Sequence, residues 1–353
     1  MAKIFEEYIY TQHSIYDDNN DDKRKIRIRY SLPNRETNTE TGILLLIPAY
    51  GGNLDSNVYN KMHQVFPDRY NMIVIQCNYF GIDYMSNMTE RLPEFAELAD
   101  IKEGRQWYLK RLVLNESLDN CNDMGIMQGA DLIHAMLYII NKLSNKGIVI
   151  NFGKIISYGS SHGSYLGYVV NRLCPNMIQL IIDNSSYCKP NYLCNPRPIL
   201  YTPMISEYPF ETLLCDVYYL VACKRENFLP DEFYDLNSLY SSFDNKCRVL
   251  SFHGSDDDMV SVEEKRNLLN NINYSSLIEI SRNDVDGKYF KSSGHGLGVD
   301  LLELYEAVNE LSNNMFEYKD SLEISEKVVL DGVNDRVVIT YNGLTPNVLW
   351  EKV

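Results

Sequence analysis

The chain has 353 residues, 45% of them hydrophobic and 23% charged, the make-up of a soluble globular protein with a sizeable core, which excludes wholesale disorder. A formal charge of -15 argues against a nucleic-acid partner, which would demand surplus Lys and Arg to neutralise phosphates, and against docking on an anionic membrane. Met1–Tyr10 carries Glu6 and Glu7 and has no apolar run of signal-peptide length. Stretches such as Gly42–Ile47 are far too short to span a bilayer, so a cytoplasmic location is expected.

Ile26–Tyr30 alternates charged and apolar residues as an early antiparallel strand does, behind the acidic turn Asp17–Asp22. Gly42–Ile47 is a continuous apolar run ending at Pro48, the pattern of a strand buried on both faces. A helix over Val58–Phe66 and a second buried strand, Met72–Cys77, follow. Apolar residues at helical spacing (Met127, Leu132, Met136, Ile139, Ile140, Leu143) predict a helix over Asp123–Leu143. Lys154–Tyr158 reads as the next strand, His162–Leu173 as a helix and Met177–Ile182 as a strand. Farther on come a strand at Arg248–Phe252, a helix at Ser261–Ile272, a strand at Leu277–Ser281 and a helix at Val299–Leu311. Strands alternating with helices predict an α/β fold with a mostly parallel central sheet and helices on both faces.

Two stretches depart from this alternation. Asn184–Lys246 is long and rich in aromatics (Tyr192, Tyr201, Tyr208, Phe210, Tyr218, Tyr219, Phe228, Phe233, Tyr234, Tyr240), which predicts a folded cap in place of a loop. After about Asp320, strand-like Lys327–Leu330, Arg336–Tyr341 and Val348–Trp350 predict a small β appendage. The expected organisation is one domain over residues 1–319 with a cap at about 184–246, and a β extension over 320–353 packed on it.

The eight cysteines (77, 121, 174, 188, 194, 215, 223 and 247) form no C-x-x-C pair, and several sit in apolar segments, as buried reduced thiols do. Cys188, Cys194, Cys215 and Cys223 have irregular spacing and no nearby histidine, a poor zinc set. No metal or cofactor is expected.

Residues 159–163 read Gly-Ser-Ser-His-Gly, a G-x-S-x-G string centred on Ser161 that follows a predicted strand and opens a predicted helix. A serine on so sharp a turn takes a strained backbone, and side chains two residues to either side would clash with it. A serine hydroxyl needs a base. Of six histidines, His295 in Ser-Gly-His-Gly-Leu-Gly lies in a flexible loop between the last predicted strand of the sheet and the last helix, where it can approach Ser161. His134 lies within a helix, and His162 adjoins the serine with its ring pointing elsewhere. The third member should orient the imidazole. Residues 253–258 read His-Gly-Ser-Asp-Asp-Asp directly after a strand, and Asp257 holds the acid position of an H-G-x-x-D-x-x-V pattern completed by Val260. Asp256 and Asp258 read as solvated loop or cap carboxylates, and Asp183, at the end of the preceding strand, is the rival acid. For an oxyanion hole, backbone N–H groups of His162 and of Tyr50, in the loop after Ile47, are the candidates.

On these residues the chain resembles the α/β-hydrolase superfamily over roughly residues 42–311, departing from it where Pro48-Ala49 replaces the usual His-Gly. It is also similar to a bacterial family of hydrolase-like proteins without assigned activity, some encoded among flagellin-modification genes. The shared stretches are Tyr-Asn-Met-Ile-Val-Ile (70–75), Asn-Asp-Met-Gly-Ile-Met-Gln (122–128), Tyr-Gly-Ser-Ser-His-Gly (158–163), Ile-Asp-Asn-Ser-Ser-Tyr (182–187) and Gly-His-Gly-Leu-Gly (294–298). The expected function is serine-dependent hydrolysis of a small acyl ester through Ser161, His295 and Asp257. Two alternatives stand beside it: O-acyl transfer to a sugar acceptor with the same triad, suggested by the family's gene company, and a non-catalytic binding protein on the same scaffold.

Overall fold

In the computed structural model, residues 1–17, 22–86, 93–102, 105–114, 117–189, 207–208, 211–219, 227–312 and 315–353 are described, with backbone alone for 93–102, 105–114, 207–208 and 211–219. The first half of the chain runs β1 (Lys3–Thr11), β2 (Arg24–Leu32), β3 (Gly42–Ile47), α1 (Asn57–Tyr70), β4 (Met72–Cys77), α2 (Ile82–Ser86), β5 (Pro93–Lys102), β6 (Arg105–Leu114) and α3 (Ile126–Ser144). Next come β7 (Ile155–Ser160), α4 (His162–Leu173), β8 (Leu180–Asn184), β9 (Glu207–Tyr208), β10 (Glu211–Tyr219) and α5 (Leu236–Tyr240). The last third holds β11 (Arg248–Gly254), α6 (Val262–Asn270), β12 (Ser275–Ile280), α7 (Leu301–Ser312), β13 (Lys327–Asp331), β14 (Asp335–Asn342) and β15 (Thr345–Lys352).

Eight strands form the main sheet in the order β1-β2-β4-β3-β7-β8-β11-β12. β1 pairs antiparallel with β2 and β2 with β4, and every other pairing is parallel, so β2 alone runs against the rest. The expected mostly parallel sheet is thus present, and the central strands explain themselves. Every residue of β3 and β4 is buried, and a period of two divides them between the sheet's faces. Ile43, Leu45, Ile47, Ile73 and Ile75 enter one core with α3, α4 and α6. Leu44, Leu46, Met72 and Val74 enter the other with α1 and α7.

β3, β4 and α4 have the predicted bounds, while β8 starts at Leu180 and not at Met177. Met177 and Ile178 are buried ahead of the pairing, which begins when Gln179 N–H donates to Ile155 O at 2.8 Å. Several elements were not expected: β1, α2, β5 and β6. β5 and β6 pair antiparallel, and β6 continues into a parallel pairing with β10, making a second sheet ordered β5-β6-β10-β9. The predicted cap therefore shares a sheet with a segment about a hundred residues upstream. Its last part turns inward, since Phe228, Leu229, Phe233, Tyr234, Leu236, Leu239 and Tyr240 all lie in the main core. Those aromatics are packing residues, and the side chains of Tyr192, Tyr201, Tyr208, Phe210, Tyr218 and Tyr219 lie outside the described ones.

The predicted β appendage is the antiparallel sheet β13-β14-β15. Val328, Leu330, Val337, Ile339 and Val348 belong to the same core as the main sheet. The Gln12 side chain donates to Val348 O at 2.6 Å and accepts from Val348 N–H at 2.7 Å, and Tyr341 donates its hydroxyl to Leu173 O at 2.7 Å. Cys77, Cys121, Cys174, Cys188 and Cys247 are all buried. Of the four cysteines weighed as zinc ligands, Cys194 and Cys223 lie outside the described residues, as does the side chain of Cys215. No helix among the described residues is long and apolar enough to cross a membrane.

Candidate active site

The carboxyl ends of β7, β8 and β11 converge on one spot. β7 ends at Ser160, and Ser161 makes the turn into α4 with φ 53° and ψ −117°, a conformation that non-glycine residues avoid unless their surroundings impose it. Its N–H donates to Asn184 O at the end of β8, at 2.8 Å. The turn is tight because α4 starts hard against β3. A Cβ on Gly163 would lie 2.3 Å from Ile47 O, so glycine is needed there for close approach. Gly163→Ala is accordingly expected to cost about 1–3 kcal/mol through overpacking, read as a fall of several degrees in thermal denaturation. An unchanged melting temperature would contradict this packing.

Ser161, His295 and Asp257, remote in sequence, lie in hydrogen-bond contact. Ser161 Oγ is 2.8 Å from His295 Nε2, and His295 Nδ1 is 2.9 Å from Asp257 Oδ2. Asp257 is buried, and its other oxygen accepts the N–H groups of Met259 (2.9 Å) and Val260 (3.1 Å). Burial alone would raise its pKa. The hydrogen bond and charge of His295, the Val260 N–H and the nearby His253 outweigh that and hold the carboxyl below its ordinary value. His253 lies beneath, wholly buried, with Nε2 2.8 Å from Val260 O and 3.5 Å from Asp257 Oδ2. Burial, helped by the charge of Lys265, pushes its pKa down.

The three neighbouring aspartates divide their tasks. Asp256 is exposed, as expected, and in addition accepts from the Ser293 hydroxyl at 2.6 Å and from Arg282 at 2.8 Å, tying down the loop that carries His295. A Cβ on Gly254 would meet Ser293 O at 2.1 Å, so this loop rides directly on the end of β11. Asp258 is exposed.

Asp183, the rival acid, is engaged elsewhere. Its wholly buried carboxylate pairs with the equally buried Lys265 at 3.1 Å. It also accepts from Tyr168 (2.8 Å), Ser251 (2.8 Å), Ser186 N–H (2.8 Å) and the Ser186 hydroxyl (3.1 Å). Burial opposes its ionisation, but Lys265 and these donors keep its pKa low.

Tyr50 lies in the turn after β3, and His162 opens α4. Their rings meet edge to face at 6.1 Å. The His162 ring is buried among Tyr50, Tyr79 and Tyr165, and neither of its nitrogens has a hydrogen-bond partner. Burial drives its pKa down to about 3, so it is a neutral packing ring. Sequence reasoning missed Tyr187 as a neighbour of the site. Its ring lies 5.8 Å from that of His295, and burial pushes the pKa of its phenol up. The signal that marks Tyr187 is its place just past the strand next to β7.

A family model described as "Protein of unknown function (DUF2920)" matches residues 85–195. No curated protein matches the sequence. Among solved structures, the chain is similar to a dipeptidyl aminopeptidase IV candidate from Bacteroides ovatus, with 12% identity and a TM-score of 0.51. That likeness covers 90% of this chain but 36% of the other, so the chain spans about a third of that protein's length. It is similar also to an alpha-beta serine hydrolase homologue from Coxiella burnetii (13% identity, 86% of this chain and 96% of the other, TM-score 0.42). A cold-adapted esterase from an Arctic intertidal metagenomic library gives 10% identity over 89% of this chain and 95% of its own, with a TM-score of 0.46.

Proposed function

The chain has the α/β-hydrolase fold, and on that premise we propose that it is a serine esterase acting on a small acyl ester through a covalent acyl-enzyme. The observation that carries the reading is the unbroken line from Ser161 Oγ to His295 Nε2 (2.8 Å) and from His295 Nδ1 to Asp257 Oδ2 (2.9 Å). In that line His295 donates Nδ1–H to Asp257 and leaves Nε2 free to take the serine proton.

Ser161 Oγ attacks the ester carbonyl as its proton passes to His295. The resulting imidazolium is stabilised by the Asp257 carboxylate, which Met259 and Val260 hold ionised. The tetrahedral oxyanion is received by the N–H groups of His162 and Tyr50, donors that typically lower such a barrier by about 3–4 kcal/mol. Collapse expels the alcohol, which takes the proton from His295 and leaves the acyl group on Ser161. A water, deprotonated by the same imidazole, then releases the acid and restores the serine.

A fluorophosphonate probe tests the reading. It phosphonylates only an activated serine, and mass spectrometry of the digested adduct should place the label on Ser161. Labelling that persists undiminished in Ser161→Ala, or an unlabelled wild type that hydrolyses no short acyl ester, would overturn it.

A further inference from the structure

The stretch Ile182–Tyr187 takes no part in the triad itself. Yet hydrogen bonds from its Asn184 and Ser185 reach the elements that carry all three triad members. Asn184 O accepts the Ser161 N–H at 2.8 Å, and Asn184 N–H donates to Ser164 Oγ at 2.9 Å. The wholly buried side chain spans a gap: Nδ2 donates to Ser160 Oγ at 3.2 Å and to Gly296 O, next to His295, at 3.3 Å. Because a carbonyl can only accept, Gly296 fixes which end of the amide is NH2. Oδ1 accepts from Ser185 Oγ at 3.4 Å, and Ser185 N–H donates to Phe252 O of β11 at 3.0 Å.

Both structures that this side chain joins need restraint. Ser161 sits in a strained conformation, and the histidine loop has positive φ at Gly296 (72°), Leu297 (59°) and Gly298 (57°), with glycines that bring high conformational freedom. Resting on the serine-hydrolase reading, we infer that Asn184 is a positioning residue, a bracket whose amide joins the Ser161 turn to the His295 loop and so sets the separation of Oγ from Nε2. Aspartate would lose the paired donor, alanine would leave the gap open, and glutamine would overfill it. The backbone bond to Ser161 N–H survives every one of these changes, so they isolate the amide.

The test compares Asn184→Ala and Asn184→Asp with wild type, using 4-nitrophenyl acetate turnover and the rate of fluorophosphonate labelling. An ångström of misplacement costs about 100-fold in rate, so kcat and the labelling rate should both fall about 30- to 300-fold with KM within about threefold. Tyr341→Phe, which forfeits a buried bond to Leu173 O far from the site, supplies a destabilised control that should keep its kcat. Labelling within threefold of wild type in Asn184→Ala, or an equal loss of kcat in Tyr341→Phe, overturns the bracket. A wild type that neither labels nor turns over sinks the esterase reading instead. In that case amide hydrogen exchange over residues 292–298 decides: faster exchange in Asn184→Ala upholds the bracket, and unchanged exchange overturns it.

Discussion

Ser161→Ala and His295→Ala should each lower kcat/KM for a short acyl ester by about 10⁴- to 10⁶-fold, and the double variant should be no slower than the worse single one. The serine supplies the attacking oxygen and the imidazole moves its proton, so removing either leaves the other with nothing to act on. What survives is binding and the backbone donors, which neither change touches. The side chains of Ser161 and His295 are partly exposed, and trimming them opens no core cavity, so folding should be preserved. Steady-state rates, with circular dichroism and melting curves as controls, provide the check. Losses that multiply in the double variant would mean that the two groups act separately, which the 2.8 Å contact between them does not allow.

Lys265→Met should be strongly destabilising. The ammonium is wholly buried, 3.1 Å from Asp183, and it also donates to Ser186 O at 2.8 Å and to the Ser186 hydroxyl. Removing it strands a buried carboxylate, which typically costs about 3–5 kcal/mol, whereas Lys265→Met combined with Asp183→Asn should recover most of the loss. The pH dependence has a definite sign. Asp183 titrates below its ordinary value in the folded protein, so its contribution is present above the unfolded pKa and is lost as the pH falls through the folded one. Without Lys265 the folded pKa rises, and that contribution shrinks. The stability gap between wild type and variant should then be widest near neutral pH and narrow on acidification toward the carboxylate range. Urea denaturation at several pH values would measure it, and a gap that widened with acid would refute the assignment.

Much of this was legible in the sequence because the central strands are buried on both faces, which leaves runs such as Gly42–Ile47 without a polar residue. Ser161 and Asp257 stand out as candidates because each follows a strand end marked by glycines or a run of acids, and His295 because glycines flank it in the loop between β12 and α7. The strand β1 was not legible: its first four residues are exposed, and its alternation emerges only as it pairs with β2 over nine residues. β5 and β6 mix charges with apolar residues, and the pairing of Glu211 with Gln106 joins segments that no local pattern connects. Asp256 resembled its neighbours until Ser293 was placed beside it, and Asn184 looked like the end of a strand. Their roles reside in partners more than thirty residues away.

The bonds between Gln12 and Val348 cross 336 positions, and β15 also lies along α3, where Thr345 meets His134 at 3.4 Å. During synthesis, that flank of α3 must wait uncovered while some two hundred further residues leave the ribosome. Contacts so far apart in sequence form late, and apolar surface left bare in the meantime invites misassociation. The last strand thus acts as a clasp, and a nascent chain halted before it should be a client for chaperones even though every part of the serine's surroundings has already been made.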